Sequence, residues 1–190
     1  MIKLKYTVLF VLFVALVSCD TTAKLSKEAQ EEYLSKGKDI SQKTFKLLSG
    51  NLMQQMQQGG PSQALPFCNL QAIPLTESIA LQENVQLKRL STLYRNIKNK
   101  PNVAEERILN TYNRALINGE KLSPVLMSSP TGKPQFYAPI IIGEKCLSCH
   151  GTVGKEISLK TDSLIKTMYP KDLATGYKVG DLRGIWSIQF

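Results

Sequence analysis

Five adjacent residues carry most of the chemistry in this 190-residue chain: Cys146, Leu147, Ser148, Cys149 and His150. Two thiols three positions apart can add across the two vinyl groups of one porphyrin. A histidine directly after them then turns its ring toward the iron. This is the attachment pattern for a covalent c-type haem, with Cys146 and Cys149 as thioether carriers and His150 as proximal ligand. The chain holds four Cys and one His, so the pattern arises by chance roughly once in 3,000 arrangements. Three other chemistries use similar residues. A zinc site wants four ligands, and only Cys68 remains to join these. A thioredoxin-like Cys-x-x-Cys wants a βαβ setting, which the flanking sequence lacks. A structural disulfide would close a strained, very small loop.

His150 is the single histidine, so a second axial ligand must come from elsewhere. The candidates beyond the first segment are Met53, Met56, Met127, Met168, Cys68, a Lys, a Tyr, or no protein group. A Met on an apolar helix stripe is more often core than ligand.

The start of the chain reads as a targeting signal. Lys3 and Lys5 precede an uncharged apolar run, Thr7 to Val17, too short to span a bilayer but suited to a signal h-region. It ends in Leu16-Val17-Ser18-Cys19, which resembles a bacterial lipobox. Cleavage there would leave Cys19 as a lipidated first residue, since acyl chains add roughly 0.8 kcal/mol of membrane affinity per buried methylene. The expected organisation is therefore a signal peptide over 1–18, a tether over 19–25, and one domain over 26–190. It places the protein on the periplasmic side of a bacterial membrane. An exported location also suits c-haem attachment. The formal charge is +9, and without Lys3 and Lys5 there remain 22 basic against 15 acidic residues. That excess fits solubility and attraction to anionic lipid or an acidic partner. The lysines are scattered, with no basic run interleaved with aromatics, which argues against nucleic acid.

The elements that must position these residues are legible from periodicity. Ser26 to Gln58 reads as a long helix whose later half carries Phe45, Leu48, Leu52 and Met56 as one stripe. Gly59-Gly60-Pro61 stops it. A second helix over 61–82 puts Cys68, Ala72, Leu75 and Ile79 on its inner face, where Cys68 is either a small core residue or a ligand. Pro74 should kink that helix. A strand is expected over 85–92, and a helix from Pro101 to Asn118 with Ile108, Tyr112 and Leu116 inward. A hairpin over 125–142 turns at Ser129 to Lys133, a short helix covers 161–168, and a final strand presents Trp186, Ile188 and Phe190 on one face. The fold class is α+β: helices first, then a mixed segment.

Several blocks, taken in order, resemble the Tll0287-like haem domain family. They are Cys68-Asn69-Leu70-Gln71-Ala72-Ile73-Pro74, then Arg89-Leu90-Ser91 with Tyr94-Arg95-Asn96, Asn99 and Pro101. Cys146 to His150 follows, and then the tail Tyr169-Pro170, Asp172, Ala174, Gly176-Tyr177, Gly180-Asp181 and Arg183-Gly184. The similarity spans about residues 30 to 190. One departure is Ile97, where the family pattern has Pro after Arg-Asn. The resemblance implies a PAS-like antiparallel sheet with long N-terminal helices. It also implies one c-haem with His150 and, unusually, Cys68 as axial ligands.

On that reading the chain is a membrane-anchored redox or small-ligand sensor, or alternatively a periplasmic electron carrier, working with a separate redox or signalling protein. A thiolate from Cys68 would favour ferric iron, and its release on reduction would free its helix to move. Arg89, Arg95 and Arg183 are candidates to pair the haem propionates, because guanidinium matches carboxylate geometry. A peroxidase-like enzyme would want a distal His, which is lacking, so no catalysis is expected.

Overall fold

A computed structural model describes residues 25–129 and 131–190 of the chain. The signal segment, the lipobox with Cys19 and nearly all of the tether lie outside the described residues.

Helix α1 covers Lys27–Glu83. Ser26 opens it, its side chain accepting from the Ala29 N–H. Only Gly59 and Gly60 leave helical dihedrals, and Gly60 takes φ +63°, which favours glycine. The expected break is there, and the chain reverses at it. Gln63 bonds Gln55 across the bend, and Lys43 pairs with Glu83 at the far end. The two halves of α1 therefore lie antiparallel. Dihedrals stay helical at Pro61, Pro66 and Pro74. The carbonyl that Pro74 deprives of a donor belongs to Leu70, which is exposed, so water can satisfy it. The inner face of the first half is also rotated from expectation. Ile40 and Thr44 are buried, while Phe45 is 55% exposed.

The strands are β1 (Gln86–Leu90), β2 (Val125–Ser128), β3 (Pro134–Ile141) and β4 (Leu182–Gln189). They form one antiparallel sheet in the order β1-β4-β3-β2. The last strand in sequence is thus central in space. Alternation along the strands gives the sheet two apolar faces. Leu87, Phe136, Ala138, Trp186 and Ile188 meet Ile40 and Ile79 of α1. Leu90, Tyr137 and Ile185 meet Leu109 and Tyr112 of α2 (Val103–Ile117). Each such side chain contributes roughly 1.5–3 kcal/mol on burial. Asn102 and Glu105 cap α2 reciprocally, so it begins just after Pro101. Two short helices complete the fold: α3 (Leu147–His150) and α4 (Leu159–Met168). No helix among the described residues is long and apolar enough to cross a membrane.

Candidate functional site

The Cys-x-x-Cys-His run forms a tight turn between β3 and α4. Ile142, just past β3, is tied to the strand leading into β4 by two backbone bonds, Ile142 N–H to Asp181 O and Gly180 N–H to Ile142 O, both 2.9 Å. A 3-10 turn over Glu144–Cys146 then leads into α3, a single turn. Gly151 ends it, its N–H donating to Leu147 O at 2.8 Å. A side chain at 151 would meet that same oxygen at 2.7 Å, so the turn needs glycine there. Cys146 and Cys149 are free thiols, half-buried. Cys146 packs with Ile142, Ala174 and Tyr177, and Cys149 packs with Leu65, Ile157, Ile165 and Tyr169.

His150 is held from behind. Its Nδ1 lies 2.7 Å from Ala174 O. A carbonyl oxygen only accepts, so Nδ1 carries the proton and Nε2 keeps its lone pair free to bind a metal. Burial, with the Arg183 and Arg95 charges added to it, pushes the imidazole well below its ordinary range despite the Ala174 bond. The ring is therefore neutral near pH 7. The 174–177 segment lies along the turn, with Tyr177 N–H donating to His150 O at 2.9 Å and Gly176 N–H to Gly151 O at 2.7 Å.

Arg95 is engaged by the protein itself. Its Nε donates to Asp172 Oδ1 at 3.0 Å, and Nη2 donates to Cys149 O at 2.6 Å and Ala174 O at 3.2 Å. Its side chain is 10% exposed and that of Asp172 is 7% exposed. Arg183 donates from Nη1 to Leu93 O at 3.1 Å and lies over the Tyr177 ring. Burial lowers it to about 10. Arg89 alternates with Leu87 on the α1-facing side of β1 and, among the described residues, makes no ion pair.

Cys68 stands on the second half of α1, half-buried. Burial raises its thiol, the Arg89 and Arg95 cations pull it back down, and Cys149 adds to the rise. Tyr169, raised by burial to about 12, also feels Cys68, Arg95 and Arg89. The fold thus gathers Cys68, Arg89, Arg95, Cys149, His150, Tyr169 and Arg183, from six parts of the chain. Of the methionines, Met168 packs beside the Leu65–Tyr169 cluster that Cys149 joins, whereas Met127 is 48% exposed on β2.

Among the described residues, no three His, Cys, Asp or Glu side chains come close enough to hold one bare metal ion. A haem asks for something else: two anchoring thiols, one donor on each side of a plane, and cations for its propionates. Free Cys146 and Cys149, the free Nε2 of His150, Cys68, and the guanidinium of Arg89, which has no ion pair among the described residues, fit that list, with Arg183 partly committed.

Asp172, Ala174 and Tyr177 have a part here that side-chain reading does not supply. They stand in the tail block noted above, but Ala174 acts only through its backbone N–H and carbonyl.

The Tll0287-like family model matches residues 19–190. A solved structure described as the crystal structure of the cyanobacterial heme-protein Tll0287 is 21% identical, with a TM-score of 0.62. The match covers 84% of this chain and 94% of that one. The likeness extends to the α+β fold with its antiparallel sheet. No curated protein matches the chain.

Proposed function

This chain belongs to the Tll0287-like family, and from that premise we propose that it is a membrane-anchored c-type haem protein that senses redox state or a small ligand. The observation that carries the haem assignment is the His150 Nδ1 to Ala174 O hydrogen bond, which frees Nε2 on a turn bearing two free thiols. When bound, a haem supplies a one-electron centre whose potential follows its axial ligands. Cys146 and Cys149 would anchor it, His150 and Cys68 would ligate it, and Arg89 and Arg183 would face its propionates. Arg95, already held by Asp172, serves the protein side instead.

Sensing is favoured by where Cys68 sits. Burial raises its thiol and so disfavours the thiolate, while the Arg89 cation works against that rise. It stands on α1, whose halves cover one sheet face. Release of Cys68 would thus act on the element that covers the core. A plain electron carrier is the second reading, favoured by the rigid hold on His150. Lipidation at Cys19 would keep the domain on the periplasmic side of the membrane, beside a redox or signalling partner.

The test is expression with the c-haem maturation machinery. Covalent haem on a denaturing gel is expected for the wild type and lost in Cys149→Ala. Cys68→Ala should change the ferric low-spin EPR signal, while Met168→Leu should not. The reverse outcome would give the ligand role to Met168. Carbon monoxide binding only after reduction supports sensing, and unchanged six-coordination supports carriage. Membrane release of Cys19→Ala checks the anchor.

A further inference from the structure

Ala174 O is shared. It accepts from His150 Nδ1 at 2.7 Å and from Arg95 Nη2 at 3.2 Å. The N–H of the same residue donates to Asp172 Oδ1 at 3.1 Å, and that oxygen also takes Arg95 Nε at 3.0 Å. Ala174 is fully buried. The N–H and the carbonyl of one residue, which belong to two successive peptide groups, are therefore both gripped by one ion pair. Arg95 Nη2 also donates to Asp172 Oδ2 at 3.4 Å and to the carbonyl of Cys149, the residue before His150, at 2.6 Å.

We infer that Arg95 and Asp172 form a charge relay that positions His150 and sets how strongly its imidazole donates. Arg95 draws electron density from Ala174 O, which weakens the pull of that oxygen on the Nδ1 proton. A less polarised imidazole is a poorer electron donor at Nε2. The Arg95 charge itself also favours the more electron-rich state of anything His150 binds. Asp172 opposes both effects by neutralising Arg95, in a setting dry enough for each charge to act strongly. The two residues should therefore act in opposite senses. A pair that merely held the 172–177 segment in place would not behave so, since losing either member would loosen the same contact. The inference rests on the haem reading for its effect on potential, but not for its effect on the imidazole.

Two readouts test it. The chain has one histidine, so its imidazole gives one set of NMR signals. In the haem-free chain, Arg95→Gln should move the Nδ1–H proton downfield, toward a stronger bond, and Asp172→Asn should move it upfield. In the haem-loaded protein, Arg95→Gln should lower the reduction potential and Asp172→Asn should raise it. Arg95→Lys, which keeps the cation, should stay near wild type in both. Shifts of the same sign in the two variants, or no shift in either, would overturn the relay. If Arg95→Gln does not fold, Asp172→Asn and Arg95→Lys decide: a lowered potential in Asp172→Asn overturns it. Imidazole shifts of opposite sign in a chain that never takes up haem would keep the relay and discard the haem reading.

Discussion

His150 and Tyr177 meet edge to face, with ring centroids 6.1 Å apart and planes at 86°, while the Tyr177 N–H donates to the His150 carbonyl at 2.9 Å. The side chain and backbone of one residue thus fix the orientation of the other. Such aromatic pairs contribute about 0.5–1.5 kcal/mol beyond their buried area. Tyr177→Ala should lower the stability of the haem-free chain by about 3–5 kcal/mol, from the lost ring and the cavity it leaves. Tyr177→Phe, which keeps the ring, should cost under about 1 kcal/mol. Denaturant titration of the two variants measures the difference.

Acid should weaken the haem-free fold through His150. Burial and the nearby arginines hold its folded value well below the 6.5 of a free imidazole. Below pH 6.5 the unfolded chain takes up a proton that the folded chain refuses, so stability falls as pH drops through that window. Above it, both states are neutral and the contribution is constant. In His150→Gln this component of the slope should vanish, as unfolding curves between pH 5 and 8 would show.

Gly184 and Gly50 should respond oppositely to alanine. A Cβ at 184 would stand 2.2 Å from Leu90 O, forcing β4 away from β1. That overpacking should cost about 1–3 kcal/mol. Gly50 is exposed within α1 with nothing within 4 Å of a Cβ. There alanine should stabilise by about 0.5–1 kcal/mol through helix propensity. Thermal melts of the two variants separate the cases.

Arg89 should control Cys68 even without a cofactor. Its cation favours the thiolate against the penalty of burial. Arg89→Gln should therefore slow alkylation of Cys68 in the haem-free chain at mildly alkaline pH, as read by peptide mass spectrometry.

Much of this protein is local in origin, and local features are written in sequence. The Gly59-Gly60 break, the capping pair Asn102 and Glu105, the hairpin between β2 and β3, and the Cys146–His150 spacing each depend on residues a few positions apart. Periodicity also gave the inner faces of α2 and β4, because alternation and helical stripes follow from burying one side. It misplaced Phe45, since the first half of α1 packs against both the sheet and its own second half, and that shared contact chooses the face.

The site needed tertiary structure. The sequence by itself marked the residues expected to attach and ligate a haem. Only the fold decided that His150 leans on the carbonyl of Ala174, 24 positions away, and that Arg95 is taken by Asp172, 77 positions away. Backbone groups look alike at every residue, and ion pairs form by proximity rather than by pattern. Long-range closure of the chain, through β4 between β1 and β3, is what brings these groups within reach.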